Sequence, residues 1–189
     1  LEYHIKNMPW KKLLKEALSL GYRSHNTSTA GLHIHVNCTA FGNTVKKQEE
    51  CIARILYFFE NNWCEFFRFS RRGAKNSEYW AKRYGWKETP EAIFEEAKNK
   101  RKGRYTSINI TNYSTIEFRI FRGTLKYNTI IAALQLVNAV CDIAVFLSDR
   151  EIKNFAWSEF VIGLNTKKYK ELIQYLKERR LYVNEPIDL

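Results

Sequence analysis

The chain has four cysteines, and none of them forms a recognisable pair. Cys38, Cys51, Cys64 and Cys141 offer no CxxC and no Cys/His spacing of the kind a structural zinc needs. They read as reduced core or strand residues of a cytosolic protein. No stretch resembles a secretory signal, and no apolar run reaches the roughly 20 residues of a membrane span. The longest, Ile130 to Leu147, is interrupted by Gln135, Asn138 and Asp142 and suits a buried helix better. Repeats, low-complexity tracts and Pro/Gly/Ser linkers are missing too, which points to a single domain over residues 1–189. Acidic residues are in short supply: 20 Asp and Glu stand against 31 Lys and Arg, a formal charge of +11. A surplus of that size favours polyanionic partners without specifying a fold. The chain opens on Leu1 and not on Met, which leaves room for upstream residues.

What is present is periodic. Trp10–Leu20 predicts an amphipathic helix with Leu13, Leu14, Ala17 and Leu18 on one face and Gly21 as its stop. "LHIHV" alternates as a strand. Residues 44–67 predict one long helix, with Ile52, Ile55, Leu56, Phe59, Trp63 and Phe66 at helical spacing, ending in the basic run "RFSRRGAK". Thr89-Pro90 followed by Glu91, Glu95 and Glu96 predicts a capped helix running to about Lys102. "RYTSINI" and "TIEFRIF", joined by "TNYS", read as a hairpin. Tyr127–Leu147 predicts a second long helix, and residues 166–180 a basic C-terminal one. The order predicts an α+β fold, a small antiparallel sheet packed by long helices.

Alternation assigns faces on that sheet. His33 and His35 project from the same side. Ile116, Phe118 and Ile120 take one face of the hairpin, and Glu117 and Arg119 the other. One side of the sheet is therefore apolar, while the other carries His33, His35, Asn37, Asn109, Glu117 and Arg119. Imidazole and carboxylate suit a divalent metal, and arginines suit phosphate or carboxylate. Arg68, Arg71 and Arg72, at the end of the long helix, could supply further anion contacts. An HxH pair taken alone is as readily a feature of a solvated strand; the "EFR" strand beside it shifts the balance towards a site.

"GLHIHVN", a long helix ending "RFSRR", then "SINI" and "TIEFRIFRGTL" before an apolar helix together resemble the amidoligase family over residues 20–147. Those proteins are similar to glutamine synthetase and other carboxylate–amine ligases. The resemblance implies part of a glutamine-synthetase-like catalytic domain, with ATP and Mg²⁺ as cofactors and an acyl phosphate attacked by an amine. Under it, His33 and Glu117 correspond to metal ligands and His35 to a residue near the ATP phosphates. Asn37 and Arg71 join the cofactor side, while Arg119 and Arg72 correspond to catalytic arginines.

The pattern departs from the family at its start. Acidic metal ligands are expected on strands before GxHxH, yet residues 1–30 are mostly helix, with Glu2 and Glu16 as their acids. Half a metal site implies little ligase activity unless another chain, such as a second copy in a homo-oligomer, or upstream residues supply the carboxylates. The expectation is thus a catalytically lapsed relative that needs no cofactor and binds nucleic acid or a nucleoprotein, with no membrane partner. Basic runs interleaved with aromatics, "RRGAKNSEYWAKRYGWK", "KNKRKGRY" and "KERRLY", make Lys75, Lys82, Arg83, Lys98, Lys100, Arg101, Lys102 and Arg104 the candidate contacts. Amidoligase relatives are common in phages, so one such target would be an RNA-guided nuclease, with the protein as its anti-CRISPR inhibitor. The alternatives are an active ATP- and Mg²⁺-dependent ligase and an assembly factor of a phage particle.

Overall fold

β1 (Gly31–Asn37), β2 (Ile108–Asn109) and β3 (Thr115–Arg122) form an antiparallel sheet in the order β1-β3-β2, so β3 is its centre. The structure, a computed structural model, describes residues 1–25, 27, 30–99 and 103–182. Ten α-helices accompany the three strands among the described residues, and the fold is α+β as the sequence predicts.

The β1–β3 register contains a bulge. Leu32 lies opposite Phe121 but Ile34 lies opposite Phe118, so His33 faces both Arg119 and Ile120. The extra residue resets the alternation of β3: Ile116, Phe118, Ile120 and Phe121 are all buried. Arg122, which strict alternation assigns to the apolar side, instead pairs with Gly31 and joins the polar face of His33 and Arg119. The expected full hairpin arm at 104–110 contributes only β2. Just before it, Lys82 N–H donates to Tyr105 O and Ser107 N–H to Lys82 O, at 2.9 and 2.8 Å. The loop after α5 (Ala74–Trp80) therefore shares that stretch with β3.

Helices close over the apolar side of the sheet. The predicted helix at 44–67 is two helices, α3 (Val45–Asn61) and α4 (Trp63–Ser70). They break at Asn62, whose backbone N–H and Nδ2 both donate to Phe58 O, at 3.1 and 2.9 Å. Across the break the rings of Phe59 and Phe66 approach to 4.4 Å between centroids. α4 ends at Arg71, in the left-handed region at φ 58°. α6 (Pro90–Lys98) has the expected Thr89 cap, with Ala92 N–H donating to Thr89 Oγ1 at 3.1 Å. It stops at Asn99, and the rest of its predicted span, 100–102, lies outside the described residues.

α7 (Tyr127–Phe146) is long and apolar enough to cross a membrane. Here its Ile131, Ala132, Leu136, Val140 and Ala144 are fully buried in the protein core. α8 (Asp149–Asn154), α9 (Trp157–Ile162) and α10 (Lys170–Glu178) follow. The C-terminal helix starts later than predicted because Asn165 Oδ1 accepts from Lys167 and Lys168 N–H, at 3.0 and 2.9 Å, and holds a turn there.

At the other end, α1 (Glu2–Asn7), which the periodicity does not predict, precedes α2 (Trp10–Ser19). Only Leu14 of the apolar face of α2 is buried; Leu13 and Leu18 are 54% and 57% exposed.

Candidate anion-binding site

The polar face of the sheet ends in a cleft of about 570 Å³, between β1, β3, the end of α4 and α5. Arg71, Arg72, Arg104, Arg119 and Arg122 line it, together with His25 and His33, and no carboxylate does so among the described residues. Trp80 and Tyr105 form an aromatic wall, their rings 5.3 Å apart and nearly perpendicular. Tyr105 also steers charge: the guanidinium of Arg104 lies 5.1 Å from its ring centre and that of Arg119 5.7 Å.

Under the cleft sits Glu117, 6% exposed. Its Oε1 accepts from Arg119 Nη1 at 2.6 Å and lies 3.0 Å from His33 Nδ1; its Oε2 accepts from Asn109 Nδ2 at 2.9 Å. Burial pushes the Glu117 carboxyl up. The Asn109 hydrogen bond and the Arg119 guanidinium outweigh that and hold it below the usual carboxylate range. His33 is held below its ordinary value, first by burial and then by Arg119, against the pull of Glu117.

Arg72 builds the cleft as well as lining it. Its Nε donates to Ile120 O, and its Nη2 to Arg119 O and Phe121 O, each at 3.0 Å. One guanidinium thus ties down the carbonyls around the bulge that sends Arg122 to the polar face. Burial and the nearby Arg119 charge lower its pKa. Gly31 makes the arrangement possible: a Cβ there would stand 3.0 Å from His33 Nε2 and 3.2 Å from Arg72 Nη2.

The predicted site residues therefore divide. His33, Glu117, Arg119, Arg71, Arg72 and Arg104 come together. His35 lies beside them, its Nε2 3.7 Å from Glu117 Oε1 and its Nδ1 3.2 Å from Thr115 Oγ1, but it does not line the cleft. Asn37, at the far end of β1, accepts Thr39 N–H and Oγ1–H at 3.0 Å each and caps the short 3₁₀ turn Cys38–Phe41.

The basic candidates divide as well. Arg83 is bound to buried Glu60, with Nε 2.8 Å from Oε2, and Lys98 to Glu49 at 3.0 Å. Lys75 and Lys82 are exposed outside the cleft lining, and Lys100, Arg101 and Lys102 lie outside the described residues. Sequence reasoning misses Arg122, because nothing in the pattern announces the bulge. It also misses Trp80, although "NSEYW" placed it inside a noted basic run.

The metal role implied for His33 and Glu117 does not fit these groups. Both carboxylate oxygens are engaged by donors, and a guanidinium 2.6 Å from Oε1 would repel a divalent cation at that atom. What the arrangement suits is an anion, held by guanidiniums whose positions are set by Glu117, by Tyr105 and by backbone carbonyls. Compared with protein-family models, with curated proteins and with solved structures, the chain matches none. Its class rests on its own geometry: an α+β protein with a basic, aromatic-walled cleft at the end of its sheet.

Proposed function

We propose that this protein binds nucleic acid, free or as the nucleic-acid part of a nucleoprotein complex, through the arginine cleft. The observation that carries the reading is the convergence of Arg71, Arg72, Arg104, Arg119 and Arg122 on one concavity without a lining carboxylate among the described residues. Guanidiniums there neutralise phosphates and release counterions, and Trp80 offers a base a flat partner. Inhibition of an RNA-guided nuclease, with the guide or its target strand in the cleft, is the particular form the sequence resemblance suggests.

Fluorescence anisotropy of labelled single-stranded DNA and RNA over a salt series tests this reading. Log affinity is expected to fall linearly with log salt. No binding to either strand at low salt rejects it.

The second reading, an ATP- and Mg²⁺-dependent ligase, draws support from the meeting of His33, Glu117 and Arg119 at the cleft. Because Arg119 and Asn109 engage both oxygens of Glu117, it requires the metal's oxygen ligands to come from another chain or from upstream residues. Calorimetry with ATP and Mg²⁺ decides it: no heat of binding at millimolar ATP removes the ligase.

A further inference from the structure

We propose that the cleft takes a terminal phosphate of a single-stranded nucleic acid, with the adjoining base against Trp80. The proposal rests on the nucleic-acid reading above and narrows it from a strand to a strand end.

Three observations lead there. The first is where unneutralised charge lies. Several basic side chains elsewhere pair with acids: Arg54 with Asp149 at 2.6 Å, Arg83 with Glu60 at 2.8 Å, Lys168 with Asp142 at 2.8 Å, and Lys98 with Glu49 at 3.0 Å. In the cleft, Arg71, Arg104 and Arg122 have no carboxylate at ion-pair distance among the described residues. Five guanidiniums converge on this one concavity, while exposed lysines such as Lys12, Lys75 and Lys82 lie outside its lining. A phosphodiester carries one charge, whereas a phosphomonoester carries about −1.5 to −2 and three strong acceptor oxygens. Several guanidiniums around one point suit the monoester.

The second is size. A volume of about 570 Å³ falls within the range of small-molecule pockets, roughly 300–1,000 Å³. It accommodates a terminal nucleotide.

The third is the division of labour in the aromatic wall. Tyr105 is occupied by the guanidiniums of Arg104 and Arg119. Trp80 meets Tyr79 and Tyr105 edge-on, at 71° and 80°, and has no stacked partner among the described residues. One aromatic thus holds the phosphate-binding groups, while the other is available to a base.

The test uses short oligothymidylates with an internal fluorophore and a 5′-phosphate, a 3′-phosphate or hydroxyls at both ends. One phosphorylated end is expected to bind about tenfold more tightly than the hydroxyl strand. Trp80→Ala and Arg122→Ala are each expected to reduce that preference to about twofold or less, with Arg104→Ala, on an exposed loop, as substitute should Arg122→Ala fail to fold. Lys12→Glu, on exposed α2, leaves the preference unchanged. Equal affinity for phosphorylated and hydroxyl strands overturns the proposal while the nucleic-acid reading stands. Absence of binding to every strand overturns both. If free ATP without metal competes as strongly as the phosphorylated strand, the ligand is a mononucleotide and the strand-end proposal falls.

Discussion

Arg119 Nη1 and Glu117 Oε1 lie 2.6 Å apart, two positions along one strand and on one face of the sheet. Glu117 is the acid beneath a cleft lined by arginines, and the same oxygen lies 3.0 Å from His33 Nδ1. The carboxylate therefore serves as an anchor that orients cationic and neutral donors towards the cleft above it.

Removing the anchor has a stability cost. Glu117→Ala leaves the Arg119 guanidinium, 11% exposed, without its counter-charge. Breaking a pair this buried is expected to destabilise the fold by about 3 kcal/mol, read from the midpoint of urea unfolding at constant slope.

The same cluster sets a pH dependence. Glu117 and His33 both have depressed values in the folded state, against ordinary values of 4.5 and 6.5. Each therefore contributes stability that is complete above its ordinary value and is lost as pH falls through its folded value. The cationic groups facing them are Arg119, Arg72 and Arg104, with the titratable His35 beside Glu117. Urea unfolding as a function of pH is expected to show stability falling below about pH 6.5 and falling again below about 4.5. In His33→Gln the upper decline disappears and the lower one persists.

Arg72 is expected to be more than a contact residue. Arg72→Ala removes the side-chain hydrogen bonds to three carbonyls at the bulge and should cost about 2–3 kcal/mol of stability. Arg72→Lys should not restore it, because one ammonium lacks the fork that reaches the carbonyls of Arg119, Ile120 and Phe121 together. Full stability in Arg72→Lys would contradict the role assigned to the guanidinium.

The basic candidates should separate experimentally as they do in space. Arg104→Glu is expected to weaken binding of single-stranded nucleic acid by about tenfold or more, since the residue lines the cleft. Lys98→Glu is expected to change it by less than about twofold, because Lys98 is held by Glu49 and Glu95. Anisotropy titrations at one salt concentration compare the two directly.

The parts of this architecture that follow local rules were legible in the sequence. Alternation in "LHIHV" and "TIEFRIF" put His33, Glu117 and Arg119 on one face, and the Thr89-Pro90 start of α6 followed from its cap. What was not legible depends on contacts between distant segments. The helix break at Asn62 is bridged by a side chain that helical periodicity does not register. The bulge opposite His33 is tied from outside by Arg72, 47 to 49 positions earlier in the chain, a contact no local pattern announces. A strict period of two, continued past Ile120, places Arg122 on the apolar side, where the structure does not. Asn37 keeps the face that alternation gives it, but the following 3₁₀ turn claims its side chain.

The central claim, that the arginine cleft is where nucleic acid binds, is tested most directly by double charge reversal at Arg104 and Arg122 over a salt series. Anisotropy with a labelled single strand is predicted to show at least about a tenfold loss of affinity, with a log–log salt slope shallower by about 1–2. Lys12→Glu should retain the wild-type slope. Wild-type affinity and slope in the doubly reversed protein, with its fold intact by circular dichroism, would contradict the account.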